Sequence, residues 1–138
     1  MSLELCHLID LPQIPDARGN LTFVEGRRHV PFEIQRVFYI YDVPCGGARG
    51  GHALKTCHQV LIAVAGSLDV IVKDDRGGQR RFQLDSPRRG LHLPPRIWRE
   101  MENFSAGSVC LVLASTPFEE ADYYRSYADY CLAEKATP

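Results

Sequence analysis

The side chains able to move protons or hold anions gather between Arg49 and Gly66, in the stretch RGGHALKTCHQVLIAVAG. Two histidines stand there, His52 and His58, and a third, His92, follows in Leu91-His92-Leu93. Imidazole titrates near neutrality, so these residues suit proton transfer to and from carbon. Four arginines, Arg88, Arg89, Arg96 and Arg99, crowd the stretch around His92. Guanidinium forks match phosphate oxygens, which points to an anionic ligand such as a diphosphate; a solvated loop is the plainer alternative. Metal chemistry fits poorly. His52 and His58 supply two ligands at most, whereas stable sites need three or more. On a straight strand, six residues would set them roughly 20 Å apart, so only a bend could bring them together. No transition metal and no other cofactor is expected.

The elements that must position these groups are short and β-rich. Candidate strands are Leu21–Glu25, Ile34–Asp42, Gln59–Ala65, Ser67–Lys73, Arg80–Leu84, Gly90–Leu93 and Ser108–Ser115. Turn signals separate them, among them Arg18-Gly19, Cys45-Gly46-Gly47, Gly66, Arg76-Gly77-Gly78 and Pro94-Pro95. Two Val/Ile/Leu runs flank Ala65-Gly66-Ser67 and form the clearest hairpin. Many short strands with Gly or Pro turns imply a sandwich or barrel, and a small barrel open at one mouth offers a ligand cavity. Only Phe118 to Leu132 reads as a helix. Acids open it, Pro117 stands near its first turn, and Tyr123, Tyr127 and Tyr130 recur at helical spacing as a packing face.

Bulk properties set the limits. A chain of 138 residues has the size of one domain and can bury a core unaided. A net charge of -1 implies neither a nucleic-acid nor a membrane partner, and no apolar run reaches the length of a membrane span. The start MSLELCHLIDLPQ lacks the basic and apolar regions of a signal peptide. The cysteines number five, without metal-like spacing, and read as reduced thiols of a cytoplasmic protein, Cys6 and Cys110 as packing residues.

The stretch RGGHALK resembles the Arg-Gly-x-His-Ala-His-Lys segment of the dTDP-sugar 3,4-ketoisomerases, which are RmlC-like cupins. The resemblance continues in order along the chain. IPDARGNLTFVE, PFEIQRVFYIYDVP, HQVLIAVAGSLDVIVKDD, the run from LDSPRRG to LVLAS, and EEADYYRSY each match a family segment. It implies an all-β jelly-roll barrel with a short C-terminal helix, a homodimer, and no metal. It also implies a reaction that moves a ketone from C4 to C3 of a dTDP-4-keto-6-deoxyhexose through an enediol.

Carried over residue by residue, the resemblance makes His52 the proton-transfer group, with Arg49 polarising the sugar carbonyl or binding phosphate and Tyr39 hydrogen-bonding the sugar. A core histidine, a turn arginine and a packing tyrosine are the plainer alternatives. Arg36, Lys55, His58, His92, Trp98 and Arg99 are expected to bind substrate, with Trp98 stacking on the thymine; a lone Trp is as often core. Three positions depart from the family pattern. Leu54 stands in place of the second histidine, His58 in place of the acid before Gln59, and Arg99 in place of the Trp-His histidine. Leucine accepts no proton, so either His52 carries the chemistry with help from His58 or His92, or the pocket binds without turnover. A related nucleotide-sugar epimerase stays open, and a metal-dependent dioxygenase is the remotest reading.

Overall fold

The computed structural model describes residues 2–137. Twelve strands and one α-helix follow in order: β1 (His7–Asp10), β2 (Gln13–Asp16), β3 (Gly19–Thr22), β4 (Arg36–Ile40), β5 (Arg49–Leu54), β6 (Gln59–Ala65), β7 (Leu68–Lys73), β8 (Gln79–Leu84), β9 (Arg89–Leu93), β10 (Trp98–Glu102), β11 (Val109–Ala114), β12 (Tyr123–Tyr124) and α1 (Tyr127–Ala136). Two five-stranded antiparallel sheets face each other, in the orders β1-β9-β6-β11-β4 and β12-β5-β10-β7-β8. β2 and β3 form a separate two-stranded ribbon. This is the expected jelly-roll barrel.

Strand alternation decides what lies inside. Leu61, Ala63, Leu91, Leu93, Cys110 and Val112 from the first sheet meet Val70, Val72, Phe82, Leu84 and Met101 from the second. The larger of these, the Val, Leu, Phe and Met side chains, contribute about 1.5–3 kcal/mol each on burial. The other face of β6 carries Val60 and Ile62, which pack under Leu11, Val30 and Phe32. β6 is therefore covered on both sides, which explains its unbroken apolar run. The hairpin to β7 turns at Gly66, whose φ of +66° favours glycine, and a Cβ there would collide with Ser105 Oγ.

The C-terminal expectation needs correction. The helix is not 118–132 but Tyr127–Ala136, capped by Ser126 Oγ accepting from Asp129 N at 3.3 Å. The preceding residues form a 3-10 turn (Glu120–Asp122) and then β12, which pairs with Leu54 and Ala53 of β5. Asp122 drives this choice. Its carboxylate accepts from Thr56 N and Thr56 Oγ1 at 2.9 and 2.8 Å, and its carbonyl accepts from Lys55 N. The turn after β5 is thereby tied to the chain entering the helix. Strands β1, β2, β5 and β10 were absent from the expected set. Among the described residues no helix is long and apolar enough to cross a membrane.

Candidate functional site

A cavity of about 720 Å³ opens at one end of the barrel, a size suited to a small-molecule ligand. Its floor is apolar (Leu61, Met101, Val112), and its polar wall comes from Arg49, His52, Gln59, Arg99, Tyr123 and Arg125.

Arg49 and His52 are three residues apart, a spacing that would send them to opposite faces of a regular strand. The pairing of β5 with β10 resolves this. Arg99 pairs with His52, but Met101 pairs with Arg49, so β5 holds one extra residue in a bulge. Both side chains thereby reach the cavity. The bulge contains Gly50 and Gly51, and a Cβ on Gly51 would lie 2.5–2.6 Å from atoms of the Trp98 indole. Glycine there lets β5 lie against the tryptophan.

His52 is largely enclosed, its ring 5.3 Å from that of Tyr123. Burial, and then the charges of Arg99, Arg125, Arg49 and Arg36, push its pKa down to about 3. It is therefore a neutral imidazole at pH 7, able to accept a proton. Arg99 is 1% exposed, and burial lowers its pKa to about 10, which leaves it charged at neutral pH. Its Nη1 donates to Gln59 Oε1 at 2.8 Å, and Nη2 has no partner. Of the four arginines acting on His52, only Arg125 is ion-paired among the described residues, with Glu120. Positive charge this poorly compensated in an enclosed space favours an anionic ligand.

The structure brings His52, Arg49 and Arg99 together, with Arg36 close enough to act on the histidine. Tyr39 also lines the cavity, at its edge, and the remaining expected residues lie elsewhere. Trp98 does not line the cavity; alternation along β10 sends Arg99 inward and the indole outward, against Ala53 and Tyr130. His58 and His92 share the outer face of the first sheet with Val60. They stack on each other, Nδ1 to Nε2 at 3.2 Å, beside Phe32. Neither reaches His52's cavity, because Gln59, Leu61, Leu91 and Leu93 occupy the inward positions. Lys55 lies outside, its ammonium 4.8 Å from the centre of the Tyr124 ring. Tyr39 sits on the strand at the cavity's edge, 60% exposed, its ring alternating away from Phe38 and Ile40 toward Tyr41. The four-arginine cluster also disperses: Arg96 pairs with Glu134 and Arg89 with Asp10. Leu54 is fully buried against Cys57, Ala114 and Tyr123. Among the described residues no three His, Cys, Asp or Glu side chains gather as metal ligands.

Sequence reasoning missed Gln59, Tyr123 and Arg125. The two last were assigned to a helix; the pairing of β12 with β5 turns them into cavity residues.

The model of the family described as FdtA, WxcM-like, C-terminal, matches residues 4–135. The chain belongs to this family. The TDP-4-oxo-6-deoxy-alpha-D-glucose-3,4-oxoisomerase of Aneurinibacillus thermoaerophilus is 42% identical over 123 residues, covering 89% of this chain and 88% of that protein. A variant of the 3,4-ketoisomerase QdtA from Thermoanaerobacterium thermosaccharolyticum, solved with TDP-4-keto-6-deoxyglucose, superposes with a TM-score of 0.93 at 39% identity, covering 99% and 98% of the two chains. The rmlC epimerase of Mycobacterium tuberculosis shares the cupin fold, with a TM-score of 0.74 at 17% identity over 91% of this chain and 70% of that one. Membership of the WxcM-like family agrees with an enzyme cavity built on an RmlC-like barrel.

Proposed function

We propose that the chain is a 3,4-ketoisomerase that moves the keto group of a dTDP-linked 4-keto-6-deoxyhexose from C4 to C3. One observation carries the reading: a neutral imidazole, His52, stands in a cavity ringed by arginines that few acids compensate. His52 takes the C3 proton. The electron pair shifts into the ring and onto the C4 oxygen, giving an enediolate whose charge Arg99 opposes. The proton on the C3 oxygen passes to the neighbouring C4 oxygen, the C3 carbonyl forms, and His52 returns a proton to C4. Arg49, Arg36 and Arg125 face the diphosphate. Its negative charge, with that of the developing enediolate, raises the basicity of His52 at the moment a base is needed.

The test is incubation with dTDP-4-keto-6-deoxyglucose in deuterated water, followed by NMR. Deuterium at C3 or C4 together with a 3-keto product is expected. Absence of both exchange and product overturns the proposal. Leu54 motivates a second reading, binding without turnover, which predicts dTDP affinity in a protein that gains isomerisation only as Leu54→His.

The same reading has the 138 residues acting as one cupin domain in a cytoplasmic homodimer. The β2–β3 ribbon supports dimerisation: it leaves Ile14 and Leu21, a cross-strand pair, 52% and 55% exposed. A lone two-stranded ribbon is marginal in water. Val37, Tyr39, Tyr41 and Val64 add exposed apolar surface on or near the first sheet.

A further inference from the structure

Arg99 and Gln59 share a feature that the reaction as so far described does not use. Both line the cavity, at 1% and 2% exposure, and one hydrogen bond joins them, Arg99 Nη1 to Gln59 Oε1 at 2.8 Å. Arginine has only donors, so it fixes the orientation of the amide: the oxygen faces the guanidinium and the NH2 group is turned away from it. Each residue is then left with one buried donor that has no partner, Arg99 Nη2 and Gln59 Nε2. Buried donors without acceptors are rare in folded proteins and call for an explanation. Two of them on linked side chains in a cavity wall are explained by a ligand that offers two neighbouring acceptor oxygens.

We infer that Gln59 is a catalytic residue, and that its Nε2 and Arg99 Nη2 form a two-donor cradle for the vicinal O3 and O4 of the enediolate. This rests on the isomerase reading and adds to it. In the starting ketose one of these oxygens is a carbonyl and the other a hydroxyl. In the enediolate both are electron-rich and lie side by side in one plane. Two unpartnered donors on hydrogen-bonded side chains therefore bind the intermediate better than either end state, which is the condition for accelerating the reaction. Arg99 supplies the charge. Gln59 supplies a neutral donor and, through its oxygen, keeps the guanidinium in place without neutralising it.

Gln59→Glu is the discriminating variant. It keeps an oxygen for Arg99 Nη1, replaces the second donor by an acceptor, and cancels the charge of Arg99. Losing a single donor of this kind lowers turnover by about 10²–10³-fold. We expect a fall in kcat of at least that size, with KM and dTDP affinity within a few-fold of the unaltered protein. Deuterium wash-in at C3 should fall in step, because the enediolate itself is destabilised. A residue with a purely structural role would instead move dTDP affinity and Tm. Unchanged kcat, or a loss carried by KM, overturns the inference. Unaltered protein that is itself inactive overturns the isomerase reading instead. Should Gln59→Glu not fold, the side-chain NH2 signals of Gln59 in the unaltered protein decide: they shift on adding the keto-sugar nucleotide and stay in place with dTDP alone, and no shift with the sugar refutes the cradle.

Discussion

Lowering the pH from 7 to 5 should destabilise the empty protein in a way that His52→Gln partly abolishes. His52 falls from its ordinary 6.5 to about 3 in the folded chain, chiefly through burial and then through Arg99. His92 falls to about 4, through burial and then the neighbouring His58 and His7. Both are depressed, so below pH 6.5 the unfolded chain takes up protons that the folded chain refuses. Stability is complete above 6.5 and drains away as pH falls, down to about 3 for His52 and about 4 for His92. At pH 5 each group has lost about 1.5 pH units of the window, or about 2 kcal/mol. Together they remove about 4 kcal/mol from a total of about 5–15. For a chain of this length that lowers Tm by roughly 10–20 °C. Calorimetric melts at the two pH values, on the unaltered protein and on His52→Gln, measure the difference. The variant should lose only about 2 kcal/mol over the same interval. Carboxylates held low by arginine, such as Asp16, titrate in both proteins and cancel in the comparison. Equal pH dependence in the two proteins would mean that His52 is not held neutral by its surroundings, and the base assignment would go with it.

Three further outcomes are expected. His52→Gln should lower kcat by about 10²–10⁴-fold while dTDP still binds within a few-fold, as kinetics and calorimetry would show; full activity would remove His52 from the chemistry. Because among the described residues no second imidazole lines the cavity, the proton leaving C3 and the proton reaching C4 should cross the same ring face. With the gluco-configured substrate this gives an axial C4 hydroxyl, readable from proton couplings of the product, and an equatorial hydroxyl would require a second proton donor. The proposed homodimer should become a monomer in Ile14→Asp, read by sedimentation or light scattering, and an unaltered assembly would place the interface elsewhere.

How much of this was legible in the sequence depends on which physical signal each residue left. The β6–β7 hairpin was readable because its strands are Val/Ile/Leu-rich and its turn needs a glycine with positive φ. β5 does not read as a strand in the sequence, since Arg-Gly-Gly-His carries no β-branched residue and a bulge breaks the alternation that would expose it. The stretch from Phe118 looked helical because its acids and tyrosines imitate a capped amphipathic face. What prevents helix there is long-range: Asp122 bonding to Thr56 and β12 adding to the edge of β5. His58 and His92 were misplaced for a different reason. β6 is apolar on both faces and β9 is buried on both, so period-two patterning cannot say which face is inward. Trp98 and Arg99 are both expected in the site from the sequence, but as strand neighbours they face opposite sides, and only Arg99 lines the cavity.

The arrangement of charge ties binding and catalysis together more closely than a list of site residues suggests. Four arginines depress one imidazole, and by the same field they attract a diphosphate. Without a bound ligand His52 is a weak base, first because it is buried and then because a proton placed on it would face four cations. A bound nucleotide sugar brings negative charge into that field and lifts the basicity of His52 toward the range in which it can take a proton from carbon. The sugar needs its nucleotide diphosphate for chemistry as well as for affinity, so a free 4-keto sugar should fail in kcat and not only in KM. Leu54 fits the same logic. Leucine fills a fully buried place against Cys57, Ala114 and Tyr123, where a second imidazole would be a polar group in need of partners. On the proposed mechanism the barrel concentrates its proton transfer on one residue and uses cations, not a second base, to set when that residue acts.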